Sequence, residues 1–160
     1  MAIRQIRKDG DDILRKKSKD VEVIDEKVKE LLQDMLETMQ VANGVGISAV
    51  QVGILKRLVV IDIQDGSGPI KLVNPVIVKQ KGKQEVEEGC LSFPNQFAKV
   101  VRPKEVTVKA LNENGEQITI KGKELLAQAL AHEIDHLDGK LFVDIMEPGT
   151  MEYLDPEEKK

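Results

Sequence analysis

A chain of 160 residues, set against about 150 per domain, reads as one domain spanning 1–160, large enough to bury roughly two-thirds of its unfolded surface without disulfide or metal staples. Its net charge is −4, with 32% charged residues of both signs interspersed and no basic stripe, which describes a soluble surface and excludes a nucleic-acid footprint. No run approaches the roughly 18 apolar residues of a membrane span, and the N-terminus lacks the apolar stretch of a signal peptide, so a cytoplasmic location is expected.

In chain order, a first helix is expected over residues 11–17 and a second over 25–42. In the second, Val28, Leu31, Leu32, Met35, Leu36 and Met39 repeat at helical spacing, which marks a stripe facing the core. Asp25 suits its N-cap, and Asn43-Gly44 suits its end. The middle of the chain is β-rich. Residues 58–63 are nearly all apolar, 73–79 and 84–88 bracket a Lys81-Gly82-Lys83 turn, and 106–111 and 117–121 flank an Asn114-Gly115 turn. A last helix over 123–137 stops at Gly139, and the charged tail 155–160 is expected to fray. Helices, then strands, then a helix predict an α+β fold: mainly antiparallel sheets packed around a C-terminal metal-binding helix, with N-terminal helices. Only 2% of residues are aromatic and none is Trp, so the core is built from Val, Ile, Leu, Met and Ala.

Three segments carry chemistry. In His132-Glu133-Ile134-Asp135-His136 the two imidazoles lie one helical turn apart on one face, able to reach one divalent metal, with Glu133 beside the water it would activate. Two histidines placed at random in a chain this long fall four apart about once in 80. The other reading of the motif is a surface helix with solvated histidines. A catalytic metal uses three protein ligands and keeps a fourth position open, so one more ligand is needed. Cys90, the single cysteine, in Glu88-Gly89-Cys90-Leu91-Ser92, cannot form an internal disulfide and is the candidate. A downstream carboxylate, Glu147, Glu152, Glu157 or Glu158, is the alternative, as in many proteases with this helix motif. In the third segment, Gly44-Val45-Gly46-Ile47-Ser48-Ala49-Val50-Gln51, the glycines let a backbone approach a ligand closely and Gln51 can offer an amide N–H to an oxyanion. Taken alone, this stretch reads more readily as a helix-ending loop followed by small residues in a packed turn.

Together the three segments resemble the peptide deformylase family in order and spacing, and the resemblance covers nearly the whole chain. Departures fall at Val50, often proline in the family, and at Ile47 and Ser48, where Leu-Ala is common. The resemblance implies a hydrolase that removes the N-formyl group from the N-terminal methionine of nascent peptides and releases formate, in protein biosynthesis in the bacterial cytoplasm. It implies that Cys90, His132 and His136 hold one divalent metal, Fe2+ in cells, with Zn2+, Ni2+ or Co2+ able to substitute. Glu133 would serve as general base and then acid, while Gln51 and the backbone N–H of Leu91 would stabilise the oxyanion. The expected partners are N-formylmethionyl nascent chains near the ribosome, with no direct nucleic-acid or membrane contact and the protein acting as a monomer.

The residues add detail to this scheme. Gly44, Val45, Gly46 and Gly89 could bind the substrate as an added strand through main-chain bonds. Val45, Ile47, Leu125 and Ala129 could line a pocket for the methionine side chain or pack in the core. Arg102 and Glu88 could support the metal ligands from behind or form surface ion pairs. A zinc metallopeptidase and a metal-stabilised binding module are the competing classes. Cys90 with the Gly/Gln segment opposes the first, and Glu133, which would lack a role, opposes the second.

Overall fold

The computed structural model describes residues 2–154; the tail 155–160, with Glu157 and Glu158, lies outside the described residues. Helix α1 (Glu26–Val41) starts where the Asp25 side chain accepts the Val28 N–H at 3.0 Å, satisfying a first-turn donor that has no partner within the helix. Val28, Leu31, Leu32, Met35, Leu36 and Met39 are all buried, as their spacing requires. The helix ends as expected, with Asn43 at φ 57° and the Gly44 N–H bonded to the Met39 carbonyl at 3.0 Å.

Among the described residues eight strands follow: β1 (Gly46–Ser48), β2 (Leu58–Ile61), β3 (Ile70–Lys81), β4 (Gln84–Cys90), β5 (Phe93–Arg102), β6 (Glu105–Leu111), β7 (Gln117–Lys123) and β8 (Glu152–Tyr153). They pair antiparallel into a five-stranded sheet, β1-β2-β3-β6-β7, and a three-stranded sheet, β4-β5-β8. Helix α2 (Leu125–Leu137) packs on β1, β2, β3, β6 and β7 of the first sheet and reaches β5 of the second. This is the α+β arrangement read from the sequence.

Three apolar clusters hold these layers. The α1 stripe closes over Ile47, Leu58, Val60 and Val73. On the other face of the same sheet, Val59, Ile61, Leu72, Val106 and Val108 receive Ala127, Leu130, Ile134 and Leu137 of α2. Because β2 is buried on both faces, its sequence is continuously apolar and not alternating. The third cluster joins Leu14 and Val100 to Phe93 and Phe142, whose rings meet edge to face at 5.2 Å.

The fold departs from the sequence reading at its edges. The helix expected over 11–17 is a single 3₁₀ turn, Asp12–Arg15, capped by Asp11 and anchored by Leu14 alone. With one buried residue it has no apolar stripe to offset the cost of nucleating a longer helix. Three strands have no counterpart in that reading. β1 is three residues long and buried throughout, β5 is disguised by Pro94 and Asn95 at its start, and β8 has only two residues. Among the described residues no helix is long and apolar enough to cross a membrane.

The end of α2 is fixed by a close approach. Gly139 has φ 74°, and a Cβ there would lie 2.4 Å from the carbonyl oxygen of Arg15. Gly139→Ala is therefore expected to cost more than about 1 kcal/mol, measured as a lower urea midpoint with an unchanged slope. An unchanged midpoint would mean that the N-terminal turn moves freely away from α2.

Candidate active site

The helix places His132 and His136 on one face, and the sheet brings Cys90 to them. Cys90 is the last residue of β4 and pairs with Phe93 across the two-residue loop Leu91-Ser92, so its side chain stands at a strand end facing α2. Its sulfur lies 3.3 Å from His136 Nε2, which lies 3.2 Å from His132 Nε2, and all three ligand atoms fall within 4.8 Å of one another. A tetrahedral ion with bonds of about 2.0–2.3 Å holds its ligand atoms about 3.3–3.7 Å apart, so this donor set fits one. Among the described residues it is the one group of three or more His, Cys, Asp or Glu side chains that could hold an ion; Glu147 and Glu152 are not part of it.

Behind the cluster lies a buried ionic chain. Glu88, 3% exposed, accepts His132 Nδ1–H through Oε1 and receives Arg102 on both oxygens, at 2.5 and 3.0 Å. Arg102, also 3% exposed, reaches Asp135 at 2.6 Å. Burial opposes ionisation of Glu88, yet the hydrogen bonds and charges of His132 and Arg102 hold its pKa down to about 2. A carboxylate bonded to the far nitrogen of an imidazole fixes the ring's tautomer and turns its other nitrogen toward the metal position. Glu88 and Arg102 are thus buried partners of the cluster rather than surface ions. The available signal was period two: Glu88 shares the face of β4 that carries Cys90.

The two histidines titrate in opposite directions. Burial favours the neutral ring in both; at His132 it is overcome by the charges of Glu133 and the Cys90 sulfur and by the bond to Glu88, which push the pKa well up. At His136, burial followed by the charge of His132 pushes it well down. Glu133 is raised by burial, against the opposing pull of His132 and the Ser48 hydroxyl. A carboxyl moved toward neutrality is suited to take and return a proton.

Gln51 lies on a 3₁₀ turn, Ala49–Val52, and is completely buried. Its Oε1 accepts the Ser48 N–H at 2.9 Å, and its Nε2 donates to Ser92 Oγ at 3.1 Å and faces the Cys90 sulfur at 3.6 Å. Ser48, with no assigned role in the sequence reading, donates to Glu133.

A cavity of about 650 Å³ opens over the cluster. It brings together Gly44, Val45 and Gly46 on one side and Gly89, Cys90 and Leu91 on the other, with Leu125, Ala129, His132 and Glu133 between them. Gly46 leaves room there for the Glu133 carboxylate: a Cβ would come within 2.7 Å of Oε2, so a side chain at this position would displace that oxygen. Ile47 does not join them. It alternates to the opposite face of β1, is 0% exposed and packs under α1, which corrects its candidacy as a pocket residue.

Glu88→Gln should weaken divalent-metal affinity by about 10–100-fold, measured by competition with a chromogenic chelator. Wild-type affinity in that variant would show that the His132 ring is held in place without this carboxylate.

Comparison with known proteins agrees with this geometry. The sequence model described as polypeptide deformylase matches residues 3–152. A peptide deformylase of Acetivibrio thermocellus is 62% identical over 90% of this chain and 84% of its own length, and peptide deformylase 2 of Clostridium acetobutylicum is 60% identical over 91% and 97%. The crystal structure of a peptide deformylase from Legionella pneumophila superposes with a TM-score of 0.88 at 50% identity, covering 91% of this chain and 87% of that one. With the match running through both sheets and both helices, the chain belongs to the polypeptide deformylase family.

Proposed function

We propose that this chain is a metal-dependent amide hydrolase that removes the N-formyl group from the terminal methionine of newly made peptides and releases formate, acting as one catalytic domain. The observation that carries the reading is the meeting of Cys90, His132 and His136 within 4.8 Å of one another, with Glu133 beside them in an open cavity, in a chain of this family.

Cys90, His132 and His136 are the residues that would hold the ion. A divalent ion bound there supplies Lewis acidity, making water a nucleophile at neutral pH and polarising the formyl oxygen. Glu133 takes a proton from water as the water oxygen adds to the formyl carbon. It returns that proton to the amide nitrogen as the C–N bond breaks, leaving formate and a free amine. Negative charge gathers on the formyl oxygen between these steps. The Gln51 amide and the Leu91 backbone N–H are the donors for it.

Substrate enters as an extended strand. β1 and β4 each end a sheet, and their residues Gly46 and Gly89, with Gly44 and Val45, border the cavity, which supports main-chain pairing with a peptide of varied sequence. Val45, Leu125 and Ala129 give the methionine side chain apolar contact. The bacterial sources of the relatives support work on nascent chains near the ribosome in the cytoplasm, with the protein acting as a monomer.

Metal-loaded protein should release formate from a formyl-methionyl peptide, leave the acetyl analogue intact and not cleave an unblocked protein. Glu133→Ala should keep its metal stoichiometry and lose about 10²–10⁴-fold in formate release. Near wild-type turnover at full metal content would remove Glu133 from the mechanism.

The metal in cells is Fe2+, with Ni2+, Co2+ and Zn2+ as substitutes; one thiolate and two imidazoles form a donor set that accepts each of them. Metal-free protein loaded anaerobically with Fe2+ should outperform the Zn2+ form and lose activity in air, because an open ferrous site beside a thiolate is exposed to oxidation. The iron assignment fails if the Fe2+ form is no faster and air leaves it unchanged.

A further inference from the structure

The two carboxylate oxygens of Glu133 stand in different surroundings. Oε1 receives the Ser48 hydroxyl at 2.9 Å. Oε2 lies over Gly46, where a Cβ would come within 2.7 Å, and is 3.9 Å from His132 Nε2, the ring nitrogen turned toward His136 and the cluster. The terminal torsion of a glutamate is broad and roughly two-fold, so nothing intrinsic to the side chain keeps one oxygen in the cavity. Ser48 provides that distinction. It is 0% exposed on β1, and its hydroxyl has one further acceptor, the Glu133 carbonyl at 3.1 Å, so both acceptors within reach belong to the same residue.

We infer that Ser48 is a positioning residue that holds Glu133 Oε1 and thereby assigns proton transfer to Oε2. The bond serves both forms of the carboxyl. In the ionised form Oε1 accepts the Ser48 hydroxyl; when Oε2 carries the proton taken from water, Oε1 is the carbonyl-type oxygen and accepts it still. The anchor therefore persists while Oε2 gains a proton and passes it to the amine nitrogen. Ser48 itself touches no substrate, because Gly46 and Glu133 form the cavity wall in front of it. This inference rests on the reading of Glu133 as proton carrier.

The test is a kinetic cycle on nickel-loaded protein with a formyl-methionyl tripeptide, comparing wild type, Ser48→Ala, Glu133→Ala and the double variant. Ser48→Ala should lower kcat by about 3–10-fold with KM and nickel stoichiometry unchanged, since one hydrogen bond that orients the carboxyl is lost and substrate binding is not. In the Glu133→Ala background the same substitution should change kcat by less than about 1.5-fold, because the group through which Ser48 acts is gone. An equal fold loss in both backgrounds, a change confined to KM, or no loss in the single variant would each overturn the inference while leaving the deformylase reading intact. Wild-type turnover in Glu133→Ala alone would overturn the reading of Glu133 instead, and this inference with it.

Discussion

Charge buried where α2 meets β4 is the constraint on which the rest of the structure depends. Glu88, Arg102, His132 and Glu133 are each under a tenth exposed. An isolated ion moved out of water loses several kcal/mol of solvation, so each needs a partner fixed by the fold. Arg102 meets two carboxylates, Glu88 meets Arg102 and His132, and Glu133 meets Ser48. The chain joins β5, β4 and α2, so one set of hydrogen bonds unites the second sheet with the helix that the first sheet carries. A cation among the ligand atoms would have the Glu133 carboxylate beside it and Glu88 behind the His132 ring.

The scaffold around that chain explains the positions of the small residues. Gly46 lets β1 pass against the Glu133 carboxylate, and Gly44 lies against Leu91, where a Cβ would be 2.7 Å from a side-chain methyl. Ala127 and Ala129 allow α2 to sit close to its neighbours. The apolar residues behind the helix, Leu130, Ile134 and Leu137, anchor it against β2, β3 and β6 while Gln128, His132 and Glu133 face the cavity. A helix with an apolar back and a titratable front is thus immobilised by packing. Rigid packing is what lets two imidazoles keep one geometry.

Much of this was legible in the chain because the signals were local. The α1 stripe, its Asp25 cap and its Asn43-Gly44 end depend on residues within one or two helical turns of each other, and all appear in place. The strands flanking the Gly82 and Gly115 turns likewise follow from turn chemistry and apolar runs. β5 was hidden because Pro94 and Asn95 resemble a loop, although this strand supplies Arg102 to the site. Ile47 looked like a pocket residue by proximity to the glycines, but alternation turns it to the opposite face.

By itself the sequence determined the site's chemical inventory: one thiol, two imidazoles at helical spacing, a glutamate between them and a glycine-rich segment with Gln51. Helical periodicity fixes which of those groups share a face, so a helix that presents both imidazoles to one side follows from spacing alone. Only the tertiary structure decided which distant groups stand beside it. Glu88 holds His132 across 44 positions, Ser48 reaches Glu133 across 85, and Gln51 meets Ser92 across 41. No periodicity relates residues so far apart. Their meeting is set by how sheets and helices close over a shared core, where a buried polar group must find whichever partner the packing brings within reach.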